Sequence, residues 1–194
     1  MNALNNQVLV KPRAVQETTG GGLFVPTSEI EKPKEGVVVS AGPGKTHPDT
    51  GNVLPCPVKE GDLVLMSDYV GENVDYNGEK HIFVDGDTLL GVYADKKLTI
   101  DAFEPLGDRV LVEIAEQATE TTTGIALAGA EDEEANTGTV AAVGSGKFQP
   151  NGEKKAVGIK AGENVMYARY VGCETSLEGK RFMIVQEKDC LAKW

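Results

Sequence analysis

The stretch Ala41-Gly42-Pro43-Gly44-Lys45-Thr46 combines a glycine-rich turn with a lysine, the residue types that cradle and neutralise a nucleotide phosphate. A phosphate loop also needs a glycine five residues before Gly44, where Val39 stands, so nucleotide binding is set aside. The two histidines, His47 and His81, lie in different segments without a second ligand at metal spacing, and are expected to be surface or hydrogen-bonded residues; no metal site is expected. The run Glu131-Asp132-Glu133-Glu134 could attract a cation, but inside a long polar stretch it reads as solvated charge. Tyr69 and Tyr170 read as core residues rather than substrate contacts. No Ser/His/Asp or Cys/His set recurs along the chain, and there is no dinucleotide fingerprint, so no catalytic residue is expected.

What remains is contact chemistry. Two polar stretches of about twenty residues, Val15 to Glu35 and Gln117 to Thr137, are rich in Thr, Gly and Glu, and structureless loops of that length in a small domain are uncommon unless functional or disordered. Each contains one apolar island: Gly21-Gly22-Leu23-Phe24-Val25 in the first and Thr123-Gly124-Ile125-Ala126-Leu127 in the second. An apolar island with no local core to join is a candidate contact site.

The elements that must hold these loops occur twice. Pairing Leu4 with Leu106 superposes Val8-Leu9-Val10 on Val110-Leu111-Val112, and Gly42-Pro43-Gly44-Lys45 on Gly144-Ser145-Gly146-Lys147. After a one-residue shift, Lys59-Glu60-Gly61-Asp62 matches Lys160-Ala161-Gly162-Glu163, and Tyr69-Val70-Gly71 matches Tyr170-Val171-Gly172. A period of about 102 residues is far longer than a solenoid repeat, so each copy is expected to be a domain with its own core. The boundaries read as 1–94 for the first domain, 95–105 for a connection and 106–194 for the second. Fully extended, that connection spans at most about 36 to 40 Å, so the two domains are neighbours.

Short apolar or alternating runs bounded by glycine predict strands at Gln7 to Lys11, Gly36 to Ser40, Leu63 to Met66, His81 to Val84 and Leu89 to Tyr93. Their counterparts are Arg109 to Glu113, Thr139 to Val143, Asn164 to Tyr167, Arg181 to Val185 and Cys190 to Lys193. No window holds a helical period for three turns, so the fold class is all-β, two small closed barrels. Asn77-Gly78, Thr50-Gly51 and Asn151-Gly152 supply hairpin turns.

Composition narrows the function classes. Of the formal charge of −11, residues 1–102 carry −6 and residues 103–194 carry −5, which opposes binding to nucleic acid or anionic lipid. Cys56, Cys173 and Cys190 form an odd set without C-x-x-C spacing and are expected to be reduced thiols, with any redox role left open. No apolar run approaches the roughly 18 residues of a membrane helix. The patterned segment starts within a few residues of Met1, leaving no room for a transit peptide: either the protein acts where it is made or a targeting segment has been removed.

The segments Leu106-Gly107-Asp108-Arg109-Val110-Leu111-Val112, the glycine-preceded aliphatic tripeptide, Gly138 to Lys147, Lys160-Ala161-Gly162-Glu163, Tyr170-Val171-Gly172 and Asp189-Cys190-Leu191-Ala192 follow one another in the order of the 10 kDa co-chaperonins, the GroES family. The resemblance covers almost the whole chain, twice, and two units in tandem look like the fused co-chaperonins of chloroplasts. It implies GroES-like barrels with long mobile loops and, at Lys45 to Val58 and Lys147 to Ile159, roof hairpins. It further implies a lid on the ring of a 60 kDa class chaperonin, assisting ATP-dependent folding of enclosed client proteins, in the chloroplast stroma. The gripping residues would be Leu23, Phe24, Val25, Ile125, Ala126 and Leu127, with Gly21, Gly22 and Gly124 giving the loops freedom. Any ATP would be bound by the chaperonin, so no cofactor is expected here. Copies of the chain would assemble with one another and with single-domain co-chaperonins; neither nucleic acid nor membrane is an expected partner. Two other readings stand beside this one: the barrel domain of a dehydrogenase-like enzyme, and a free-standing scaffold or chaperone without a chaperonin partner.

Overall fold

A computed structural model of the chain describes residues 2–13, 35–48, 50–67, 71–114, 136–149 and 151–194. The first half contains β1 (Gln7–Pro12), β2 (Glu35–Ala41), β3 (Lys45–Thr46), β4 (Val53–Leu54), β5 (Leu63–Leu65), β6 (Glu72–Tyr76), β7 (Glu79–Asp85), β8 (Gly91–Tyr93) and β9 (Phe103–Pro105). The second contains β10 (Arg109–Ile114), β11 (Thr137–Val143), β12 (Lys147–Phe148), β13 (Lys154–Lys155), β14 (Asn164–Tyr167), β15 (Cys173–Leu177), β16 (Lys180–Gln186) and β17 (Cys190–Lys193). The main sheets run β6-β7-β1-β2-β5-β8-β9 and β15-β16-β10-β11-β14-β17, antiparallel throughout, with the ribbons β3-β4 and β12-β13 apart from them. The all-β, two-unit architecture is thus as expected, but hydrogen bonding does not close either sheet into a ring: β6 and β9, and β15 and β17, remain edges.

The repeat holds at the level of single contacts. β1 and β10 are fully buried on both faces at Val8, Leu9, Val10 and at Val110, Leu111, Val112. Each carries a register shift at the matching step, Leu9/Val10 and Leu111/Val112. Gly42 donates its N–H to the Gln7 carbonyl at 2.9 Å and Gly144 to that of Arg109 at 2.8 Å. A Cβ at either glycine would sit 2.1 or 2.3 Å from a backbone oxygen, so only glycine allows this approach. Inside each unit the alternate residues form a core: Val8, Val10, Val38, Val58, Val64, Met66, Val84 and Leu89 in the first, and Val110, Val112, Val140, Ile159, Val165, Tyr167 and Val185 in the second.

A further cluster joins the units. Leu63, Leu65, Leu90, Tyr93 and Phe103 pack with Leu111, Leu177, Phe182 and Ile184. The segment 95–105, expected to be a plain connection, carries β9, whose Pro105, Glu104 and Phe103 pair with Gly91, Val92 and Tyr93 of β8. Leu106 then donates to the Leu90 carbonyl at 3.0 Å. The Phe103 ring lies 5.1 Å from that of Tyr93.

Tyr170 is fully exposed, not core: at φ 62° it occupies the turn between β14 and β15, and Tyr167 takes the interior position three residues earlier. Its counterpart Tyr69 lies outside the described residues.

Candidate functional site

Both polar stretches spring from the same corner of their units. Pro12 pairs with Gly36, and the next residue, Arg13, donates its N–H to the Glu35 carbonyl at 2.8 Å. In the second unit Ile114 pairs with Gly138, and Asn136 accepts from the Tyr167 N–H at 2.8 Å. The ends of segments 14–34 and 115–135 are therefore pinned on adjacent strands. Glycine makes the stem tight: a Cβ at Gly36 would lie 2.3 Å from Val10 Cγ1, and one at Gly138 2.2 Å from the Glu113 carbonyl oxygen. The candidate contact residues Leu23, Phe24, Val25, Ile125, Ala126 and Leu127, the glycines Gly21, Gly22 and Gly124, and the run Glu131 to Glu134 lie outside the described residues.

Each stem is tied sideways by an ion pair whose signs are exchanged between units. Lys11 Nζ donates to Glu79 Oε1 at 2.6 Å, and Lys180 Nζ donates to Glu113 Oε1 at 2.6 Å. Lys11 holds the Glu79 carboxyl below its ordinary range, chiefly through that hydrogen bond. At the first stem, burial pushes the Glu35 carboxyl up and the Arg13 charge opposes it. Burial, with a contribution from the Glu35 charge, also raises the Tyr93 phenol, and its buried hydroxyl has no hydrogen-bond partner among the described residues.

At the far end of each unit the ribbons β3-β4 and β12-β13 flank a cleft of about 250 Å³ between the units, lined in part by Lys45, Asp87, Arg109, Lys147 and Lys154. Lys45 pairs with Asp87. Arg109 donates to the Asp87 carbonyl at 2.6 Å and to the Leu106 carbonyl at 3.2 Å, clipping the second unit to the first. The phosphate-loop resemblance ends here: Gly44 (φ 114°) turns the chain into β3, and β3 pairs with β4 rather than opening a helix. No α-helix occurs among the described residues, so none offers its N-terminus to a phosphate there.

His81 is buried, with Nδ1 3.0 Å from the Glu79 carbonyl oxygen and its ring edge-on to Tyr76. That is a satisfied histidine. Among the described residues no group of three His, Cys, Asp or Glu is placed to hold a metal. Cys56, Cys173 and Cys190 are half-buried and form no disulfide among the described residues, and burial raises the thiols of Cys56 and Cys190. No helix of the described residues is long and apolar enough to cross a membrane.

A repeated all-β unit whose adjacent strands bracket one long polar segment in each half has the frame of a binding module. The model of one family, Chaperonin 10 Kd subunit, matches residues 1–93 and again residues 102–194. The 20 kDa chaperonin, chloroplastic, of Spinacia oleracea is 33% identical over 190 residues, 97% of this chain and 73% of that protein. Its namesake in Arabidopsis thaliana is 30% identical over 190 residues, 97% of this chain and 74% of its own. The Co-chaperonin GroES of Desulfotalea psychrophila is 47% identical over 89 residues, 46% of this chain and 93% of its own. The chain belongs to the chaperonin 10 kDa subunit family, once in each half. It is a co-chaperonin and not an enzyme, as its relatives are, which removes the dehydrogenase-like reading.

Proposed function

We propose that the protein caps the ring of a 60 kDa class chaperonin and assists ATP-dependent folding of enclosed client proteins, with ATP bound and hydrolysed by the ring. The grip is made by Leu23, Phe24 and Val25 and by Ile125, Ala126 and Leu127, with Gly21, Gly22 and Gly124 easing the backbone into its bound shape. The observation that carries this reading is the duplicated stem, Pro12 against Gly36 and Ile114 against Gly138, which delivers one such segment from the same corner of each unit.

In an extended segment residues i and i+2 share a side, so Leu23 with Val25, and Ile125 with Leu127, enter a groove together. Burying two such side chains contributes roughly 3 to 6 kcal/mol, while fixing each loop residue costs about 1 to 2 kcal/mol. One loop binds feebly; several on one lid gain a factor of about 10² to 10⁴ from effective concentration. Weak single grips suit a lid that must leave in every cycle. The loops are unequal, because Thr123 stands where the first has Gly21, and Ala126 where it has Phe24.

Each chain brings two loops, so copies alone offer even numbers to a ring whose symmetry the resemblance implies to be sevenfold, and single-domain co-chaperonins would complete an odd set. Chloroplast relatives support action in the chloroplast, with the stroma as the compartment proposed. The test is a binding titration against chaperonin with ATP. Leu23→Ser with Val25→Ser weakens binding more than Ile125→Ser with Leu127→Ser. Equal losses would remove the inequality of the loops, and unchanged binding in both would remove the grip. A wild-type chain that is not pulled down by chaperonin with ATP would favour the free-standing scaffold.

A further inference from the structure

The second ribbon carries more positive charge than its own pairing can use. β12 and β13 hold Lys147, Lys154 and Lys155, and their register sets Lys147 directly opposite Lys155. Like charges facing one another across two strands oppose the pairing. The first ribbon avoids this, with Lys45 opposite Leu54. Lys45 also has a counter-charge in Asp87, whose repeat-mate is Lys188, so the second unit lacks the acid that neutralises the equivalent lysine. Among the described residues Lys147 makes no hydrogen bond or ion pair. Lys154 has uncharged partners there: its Nζ donates to the Ser145 hydroxyl at 3.0 Å and stands 5.0 Å from the centroid of the Phe148 ring. The half-buried Arg109 gives its hydrogen bonds to two carbonyls rather than to a carboxylate. Burial works against its charge more strongly than the nearby Asp108 and Asp87 support it.

These residues meet at one cleft, the space of about 250 Å³ between the units. There Lys45, Arg109, Lys147 and Lys154 set four positive charges against the two of Asp87 and Asp108. In a chain of net charge −11 this is a local reversal of sign. We propose that the cleft is a binding site for a small phosphate dianion, either inorganic phosphate or the phosphate group of a short-chain monoester. The excess of two positive charges matches the charge of such a ligand. The volume lies below the roughly 300 to 1,000 Å³ of pockets that enclose drug-sized molecules, so the ligand carries few heavy atoms beyond its phosphate. Four oxygens around one centre suit donors that reach it from both units. The planar fork of Arg109 keeps N–H groups beyond the two it gives to carbonyls, and the lysines add point donors around it. A carboxylate, with two oxygens in one plane, would leave part of this set unused. Leu54, Leu106 and Phe148 give the cleft an apolar side for the carbons of an ester. An extended polyanion fares differently, because it must also cross the acidic surface outside the cleft. A small phosphate is in direct contact with the four cations, well within the Debye length of about 10 Å, so the overall charge that opposes nucleic acid does not exclude it. Such binding requires no chaperonin and is independent of the capping role.

The test is calorimetric titration of the whole chain at low ionic strength with two probes, inorganic phosphate and glycerol 3-phosphate. A single probe molecule binds per chain with a Kd of about 1 mM or tighter. Preference for the free ion or for the ester identifies the source of the phosphate, and either result supports the site. Lys147→Gln weakens binding by at least roughly tenfold, the scale of a lost hydrogen bond to a charged group. Lys188→Asp returns to the second unit the acid that the first has in Asp87, and weakens binding similarly by engaging Lys147. Lys80→Gln, at an exposed lysine that does not line the cleft, leaves the affinity unchanged. Lys147 is itself exposed, so the urea midpoint of Lys147→Gln stays at or above the wild-type value, Lys155 no longer facing a like charge. Saturating ester also slows acetylation of Lys147 and Lys154 several-fold, read by peptide mass spectrometry, while Lys80 reacts as in the free chain. The proposal is overturned if neither probe binds, or if Lys147→Gln and Lys188→Asp bind as the wild type does. It is equally overturned if Lys80→Gln loses as much affinity as Lys147→Gln, if protection is spread evenly over the lysines, or if ATP binds more tightly than both small probes.

Discussion

Replacing Phe103 by alanine separates the energy of the inter-unit contact from that of the two cores. The ring is 3% exposed and belongs to the cluster that joins the units. It rests on Gly91, where a Cβ would come within 2.2 Å of the ring's Cζ, and meets Tyr93 at 5.1 Å with a tilt of 58°. A Phe→Ala change in such surroundings costs about 3 to 5 kcal/mol. Units of this size have stabilities of roughly 5 to 13 kcal/mol, so a loss of about 4 kcal/mol leaves both folded. The interior clusters of Val8 to Leu89 and of Val110 to Val185 do not contain Phe103.

The expected outcome is thus uncoupling as well as weakening. In urea, far-UV circular dichroism follows both units and Trp194 fluorescence follows the second. In the wild type the two traces coincide. In Phe103→Ala, the circular dichroism midpoint falls by about 2 M, given a slope of about 2 kcal/mol per molar, and the Trp194 trace lags behind it. Val53→Ala, at an exposed position on the β3-β4 ribbon, is the control and stays within about 0.5 kcal/mol. Coincident traces with a shift no larger than the control's would show that the seam contributes nothing.

Two more outcomes follow from buried polar groups at and near the seam. Tyr93→Phe removes a hydroxyl that is buried without a partner among the described residues and raises stability by about 1 kcal/mol, read from the same urea curves; a loss of stability would show that the hydroxyl is satisfied. Burial raises the Cys56 and Cys190 thiols, so at mildly alkaline pH both alkylate with iodoacetamide more slowly than a free cysteine, and rates equal to that of the free amino acid would refute the burial. The sign of the linked stability follows: a thiol raised on folding stabilises the fold while protonated, and that contribution is lost as pH rises from the unfolded value through the folded one.

Strands with an apolar partner on each face were legible in the sequence, whereas of the edge strands β17 (Cys190–Lys193) was legible, through its match to β8 in the repeat, and β6, β9 and β15 were not. β1 and β10 announce themselves through Val-Leu-Val, buried on both faces. β6, Glu72-Asn73-Val74-Asp75-Tyr76, lies at an edge and has no fully buried residue, so no apolar period marks it. Its mate β15 buries only Thr175 and Leu177. The turn Asn77-Gly78, at φ 55° and 79°, was readable from its residue types. Glu178-Gly179 adopts nearly the same angles, 52° and 80°, with a residue that does not favour them; only the repeat register points to it. β9 escaped because a three-residue strand ending in proline carries no pattern, and its place is set by Tyr93 and Gly91 in the neighbouring strand. The clip from Arg109 to the Asp87 carbonyl was equally silent, since it depends on how one unit sits against the other.

The repeat also permits an argument that a single domain would not. Where two mates face the same environment, a change in one is answered by a change in its partner. Lys11 with Glu79 becomes Glu113 with Lys180, and the 2.6 Å contact is kept. The changes at the seam are not answered in this way. Leu63 becomes Asn164 and Tyr93 becomes Trp194, while Phe182 corresponds to His81; in each case one member of the pair lies in the filled contact and the other outside it. In the internal seam the partner is always present, so a dry aliphatic and aromatic cluster carries no risk of adventitious association. Outside that contact an aliphatic face would lie open to solvent, and Asn164 there is held instead by the Thr139 hydroxyl, which donates to its Oδ1 at 3.0 Å.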